Sequence, residues 1–152
     1  MTILNQWNQG ECAGFSILGA LCHMKPDTDY VKIGNELISE KWNELTLQIA
    51  SKWFIKKGYI KSLDPCGYSP FILKKKPIIT WASNVDWIKT WQPPYMLTFK
   101  EGNTGFIWSH YFIITELWVI QNSWGENWWD KWYFYFKSDQ KSKFKQMFTI
   151  SI

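Results

Sequence analysis

Hydrophobic and polar positions divide the chain into a helical first part and a β-rich second part. Phe15-Ser16-Ile17-Leu18-Gly19-Ala20-Leu21 is an uncharged, mostly apolar run that follows the irregular polar stretch Asn5-Gln6-Trp7-Asn8-Gln9-Gly10-Glu11. This predicts a buried helix over residues 12–24. Pro26-Asp27-Thr28-Asp29 ends it, since proline cannot continue a helix and Asp and Thr favour turns and caps. A second helical region is expected over 31–57, where Trp42, Leu45, Ile49, Trp53 and Phe54 recur at three- and four-residue steps and mark one apolar face. Gly58 is the expected C-cap residue of that region. Residues 59–77 read mostly as loop, with Pro65, Gly67, Pro70 and Pro77 as breakers. A short third helix is expected from Asn84 or Val85 to Trp91, capped by Ser83 or Asn84.

After Pro93-Pro94 the pattern changes. Residues 95–100 favour a strand and 101–105 a turn; 106–116 and 117–121 read as two strands with a tight connection. Residues 132–137 alternate aromatics in strand fashion, and 147–152 form a closing strand. The expected fold class is therefore α+β: one domain over residues 1–152, with a mainly helical half (1–92) packed against a mainly antiparallel sheet or barrel half (93–152). Such segregation leaves a seam in which a site can form.

Composition narrows the function classes. At 152 residues the chain suits one domain that buries roughly two thirds of its unfolded surface. Twelve tryptophans and 19% aromatics imply a core of large flat side chains, with room for exposed ones that stack on a ligand. A formal charge of +4 without a basic stripe gives no reason to expect a nucleic-acid partner, and Lys74-Lys75-Lys76 reads as a solvated loop. No run reaches the ~18 apolar residues of a membrane span, so no membrane partner is expected. The N-terminus lacks the features of a signal peptide. Cys12, Cys22 and Cys66 are too few for a disulfide framework, and Cys22 and Cys66 read as core thiols or as one bridge. A reducing location follows, cytoplasmic or within an assembly such as a virus particle. No cofactor and no metal site is expected.

Cys12 carries the candidate chemistry. At a helix N-terminus a thiol meets the positive end of the helix dipole and free backbone N–H groups, which favour the nucleophilic thiolate. Taken alone, Cys12 reads more readily as a buried structural cysteine. Gln6 is placed to bring a carboxamide donor beside the sulfur. His23 stands about three helical turns from Cys12, roughly 16 Å, too far to pair with it. His110 precedes the apolar run Tyr111-Phe112-Ile113-Ile114 and would be held in a strand, where imidazole can serve as a base near neutral pH. Asn122 ends the next apolar run, and a hairpin turning near Glu116-Leu117 would carry it toward His110 to orient the ring. Trp124 would cover that contact.

These segments resemble those of the papain-like cysteine peptidases. Asn5-Gln6, Cys12 and Phe15-Ser16 are similar to the family's nucleophile segment. Ser109-His110 before an apolar strand resembles its histidine segment. Trp118-Val119-Ile120-Gln121-Asn122-Ser123-Trp124-Gly125 with Trp128 and Tyr133 resembles its asparagine segment. The resemblance implies a papain-like fold with the site in a cleft between the halves. It implies Cys12 as nucleophile, His110 as base, Asn122 as its orienter, and Gln6 as oxyanion donor, a contribution worth ~3 kcal/mol of barrier in other enzymes. It also implies a peptide or protein substrate and hydrolysis of peptide or isopeptide bonds through an acyl-enzyme.

The chain departs from the family in several places. Ala13 replaces a large aromatic, Gln9 replaces a cysteine, and no Gly-Gly pair follows the first helix. Cys12 and His110 are also closer in sequence than the roughly 130–150 residues usual for papain relatives. A trimmed, open cleft without an inhibitory propeptide is the expectation. Two alternatives stand beside it. Glu11-Cys12-Ala13-Gly14-Phe15 faintly resembles the nucleophile segment of peptidoglycan-cleaving thiol hydrolases, whose sugars tryptophans would stack on. A peptidase-like fold serving as a binding or structural subunit, with an assembly partner, is the other.

Overall fold

The first helix, α1 (Cys12–Met24), begins at the cysteine itself and is buried from Ala13 through Cys22. The structure is a computed structural model that describes residues 12–41, 46–90, 92–99, 107–121 and 133–152, with backbone alone at 41, 87–88 and 107–110. An apolar helix with no charge before His23 has no face to give to water, so it lies at the centre of the helical layer. The chain leaves α1 through a turn in which the Thr28 hydroxyl donates to the Lys25 carbonyl at 2.6 Å. Asp29 Oδ1 then accepts the Lys32 N–H at 3.1 Å, capping α2 (Tyr30–Lys41).

The single helix expected over 31–57 is instead two. Thr46 is extended, with φ −70° and ψ 158°, and its side chain accepts the Ile49 N–H as the N-cap of α3 (Leu47–Lys56). A β-branched hydroxyl residue serves better as a cap than in a helix interior, so the periodic pattern is interrupted there. The predicted face shifts accordingly: Leu47, Ala50, Ser51, Trp53 and Phe54 are buried while Ile49 is exposed, and Trp42 and Leu45 lie outside the described residues. Gly58, at φ +79°, follows α3 as expected. Two carboxylates of α2 tie the pair together. Glu40 accepts from Trp53 Nε1 at 2.6 Å and Lys57 Nζ at 2.8 Å, and Glu36 accepts from the Tyr59 hydroxyl at 2.9 Å.

The stretch read as loop over 59–77 contains β1 (Ser62–Pro65) and the one-turn α4 (Pro70–Leu73). β1 is a short strand ending in proline, which confines it to a sheet edge and blunts its sequence signal. The short third helix expected from Asn84 or Val85 is present only as a single turn, α5 (Trp87–Thr90), because its first residues belong to the end of a strand, β2 (Ile78–Asp86). The Asp86 carboxylate, not Ser83 or Asn84, accepts the Lys89 N–H at 3.3 Å. β2 then pairs with β3 (Ile107–Glu116), which turns tightly into β4 (Val119–Gln121), paired in turn with β5 (Tyr133–Tyr135). A 3-10 helix (Ser138–Lys143) leads into β6 (Phe144–Ser151). The strand expected over 95–100 is reduced, among its described residues, to isolated bridges at Met96 and Phe99. The turn expected over 101–105 lies outside the described residues.

The six strands among the described residues form one antiparallel sheet in the order β1-β6-β2-β3-β4-β5. The fold is α+β, with the main helices N-terminal and most of the sheet C-terminal. The sheet also takes β1 and β2 from the part read as mainly helical. Strand alternation sends side chains to two cores. On one side Ile79, Tyr111, Ile113 and Ile150 meet α1, α2 and α3. On the other, Ile78, Ala82, Phe112, Ile114, Ile120, Phe134, Phe136 and Phe144 form a second cluster rich in edge-to-face rings.

Candidate functional site

Cys12 is the first residue of α1, where its side chain is part-exposed and packs against the helical-side core. Its position at the positive end of a helix buried along its length favours negative charge on sulfur. The backbone N–H groups of Tyr111, Ala13 and Cys12 itself act in the same direction. Removal from water acts against them and is the larger effect, pushing the thiol above its ordinary value. The electrostatics of the described residues therefore hold Cys12 as a neutral thiol at pH 7.

The contact with Tyr111 joins the two layers. Tyr111 belongs to β3, and its backbone N–H faces the sulfur of the helix that crosses this strand. His110 is the preceding residue, and its backbone pairs with Ala82 of β2. A strand position for His110 was the expectation from its apolar run, and that is where the backbone lies. Gln121 closes β4 opposite Ile113, two residues beyond Tyr111. The hairpin expected to bring the end of this run toward His110 is present, with Leu117 and Trp118 in its turn. Gln6, Asn122 and Trp124 lie outside the described residues, as does the side chain of His110. Cys12 and the chain adjoining His110 are what the structure brings together.

Further groups around Tyr111 were not singled out by sequence. The Tyr111 hydroxyl donates to Gln146 Oε1 at 2.7 Å, and the Tyr111 ring packs on Trp81 with centroids 4.7 Å apart. Gln146 reaches that position through a bulge in β6: Phe148 pairs with Ile79 and Lys145 with Trp81, leaving Gln146 and Met147 opposite Thr80 alone. Gln146 takes φ +52°, a left-handed conformation rare for a side chain of its kind. The Tyr111 N–H is a backbone group and leaves no mark in sequence. The bulge has no glycine to announce it.

His23, in the last turn of α1, is half-buried and pulled below its ordinary value by desolvation, against the opposing field of Glu116. It sits at the end of α1 away from Cys12, as its helical separation required. Cys22 and Cys66 are free thiols, so the bridge left open by the sequence is absent. Burial raises both, Cys22 to about 11. Among the described residues no three His, Cys, Asp or Glu side chains gather as a metal site would need. Compared with known proteins, the chain matches no protein-family model and no curated sequence.

Proposed function

We propose that the protein is a papain-like cysteine hydrolase that cleaves peptide or isopeptide bonds. One observation carries the reading: the sulfur that opens the central helix faces the backbone N–H of the residue directly after His110. That juxtaposition joins the two sequence segments that resemble the family's nucleophile and histidine segments. In this reading His110 and Cys12 form a thiolate–imidazolium pair across the junction of helix and sheet. The desolvation that raises an isolated Cys12 thiol would strengthen the attraction between the paired charges, because charge–charge energies grow as the local dielectric falls.

The chemistry is then nucleophilic catalysis in two stages. Sulfur attacks the scissile carbonyl carbon, and the oxyanion is held by the Gln6 carboxamide and the Cys12 N–H. His110, oriented by Asn122, gives its proton to the leaving amine. It then takes a proton from the water that hydrolyses the thioester.

The test is labelling with an epoxide-type thiol inhibitor near pH 6 and pH 8, followed by mapping. Selective modification of Cys12 over Cys22 and Cys66 is expected, with loss of at least about a hundredfold in rate in His110→Ala. Equal labelling of all three thiols, or a His110→Ala rate equal to that of the unmodified chain, rules the reading out. Parallel digestion of casein and purified murein separates peptide from cell-wall substrates.

The raised Cys12 thiol favours one second reading, a peptidase-like fold kept as a binding subunit. An unreactive Cys12 in a well-folded chain would select it.

A further inference from the structure

Among the described residues, Phe71 is the most exposed large apolar side chain, 77% open to solvent. It stands on the one-turn helix α4, next to the exposed Pro70, while its neighbours Ile72 and Leu73 pack onto the second core. Folding has thus anchored two apolar side chains of this turn and left the third in water. Lys74 holds its ammonium 5.7 Å from the centre of the Phe71 ring, and the exposed Lys75 follows. Tyr68 and Phe99 pack against the same core, and Lys141 and Lys143 lie over their rings at 5.8 and 5.9 Å. The sheet side away from α1–α3 therefore carries one protruding aromatic with Lys74 and Lys75 beside it in the chain, and Lys141 and Lys143 over two further rings of the same side. Among the described residues none of the four has a carboxylate within ion-pair distance. Asp139 is the acidic side chain of the adjoining 3-10 helix.

We infer that this face docks the protein on an anionic lipid bilayer, with Phe71 entering the headgroup boundary and the lysines meeting the negative surface. The chemistry favours a diffuse anionic surface. All seventeen cationic side chains of the chain are lysines, compact hydrated charges without the fork that grips one phosphate. Lysine stems can lie along apolar surface while their heads stay in water, as an interfacial site requires. Single-stranded nucleic acid would need several open rings for stacking. Among the described rings of this side, Tyr68 and Phe99 are partly buried beneath ammonium groups, and Phe71 alone is exposed. Docking of this kind is peripheral, and no described helix is long and apolar enough to cross a membrane. Cys12 packs on the opposite side of the sheet, so the inference stands independently of the hydrolase reading.

The experiment is vesicle flotation of the full chain with pure phosphatidylcholine, and with phosphatidylcholine containing about one third phosphatidylserine. Binding is expected to the anionic vesicles only and to weaken with salt. Lys74→Glu/Lys75→Glu should weaken it at least about tenfold and Phe71→Ser about fivefold, while Phe71→Leu retains it. Lys52→Glu/Lys56→Glu, on the exposed side of α3, makes the same charge change elsewhere and should shift binding less than about threefold. All these positions are exposed, and unfolding curves matching the unmodified chain confirm that each variant folds. No binding to anionic vesicles, equal loss in the α3 variant, or full binding by Phe71→Ser overturns the inference. So does binding of a single-stranded oligonucleotide, through the same lysines, by a chain that ignores vesicles.

Discussion

Cys22 and Cys12 share one helix and show how far burial sets the behaviour of a thiol. Cys22 is 6% exposed and its thiol is pushed up to about 11 by desolvation, from 9.0. The unfolded chain ionises this group near pH 9, whereas the folded chain resists until about pH 11. The stabilising contribution of the neutral thiol is complete below about pH 9 and falls away as pH rises through 11, about 3 kcal/mol in all. Urea unfolding of Cys22→Ala should show a deficit against the unmodified chain near pH 8 that shrinks by near pH 11. A deficit constant with pH would show that burial of the thiol does not control the alkaline limb. Two residues past Cys12, Gly14 has no room for a side chain: an added Cβ would lie 2.5 Å from Leu37 Cδ2, and Leu37 is fully buried. Gly14→Ala gains about 1 kcal/mol of helix propensity but overpacks the core by about 1–3 kcal/mol. A net loss is expected, relieved in Gly14→Ala/Leu37→Val, and a more stable Gly14→Ala chain would show that Leu37 yields freely. At this scale the sequence was informative about position and silent about environment. The apolar run after Cys12 marked it as a helix start, and the run after His110 marked a strand. The desolvation of the sulfur and the Tyr111 N–H beside it arise from tertiary packing, which has no local signature.

Elements were legible where one pattern ran without competition. α1 has a continuous apolar run and a proline beyond its end, and its observed bounds agree with the expectation. β2 was missed because it is buried on both sides over most of its length; it lacks the alternation that marks a half-exposed strand, and Asn84 within it suggested a cap. Asn84 has φ +59° and falls where the β2–β3 register shifts, so its turn-forming tendency is expressed as an irregularity inside the strand. The break between α2 and α3 was hidden by an apolar periodicity that continues across it in sequence. Its physical basis is the Thr46 cap, whose hydroxyl oxygen accepts the Ile49 N–H at 3.2 Å. Thr46→Ala should therefore cost about 1 kcal/mol, with Thr46→Ser or Thr46→Asp restoring most of it. Denaturant unfolding decides: a Thr46→Ala chain as stable as its parent would mean that packing of Trp53 and Phe54, not the cap, fixes where α3 begins.

At the scale of the molecule, the sheet separates two cores, and only one of them bears on the candidate site. Ile113 lies two residues past Tyr111 on β3, 3% exposed, in the core shared with α1. Ile78 opens β2, fully buried, in the core on the other side, and it pairs with Ile114 toward the end of β3 remote from His110. Truncating either isoleucine to alanine deletes the same atoms and should cost about 2–5 kcal/mol of stability. The consequences for Cys12 should differ. Loss of Ile113 removes packing that presses α1 onto β3, so the sulfur and the strand next to His110 lose their fixed relation. Misplacement of a reacting pair by about 1 Å can cost about a hundredfold in rate. In Ile113→Ala the rate of Cys12 modification by an epoxide-type inhibitor near pH 6 should fall at least about tenfold under conditions where the chain remains folded. Ile78→Ala, equally destabilised, should keep the parent rate. Equal losses in both would mean that reactivity follows global stability. Unchanged rates in both would mean that the helix–sheet contact at Tyr111 does not position the thiol, and the hydrolase reading would lose the observation on which it rests.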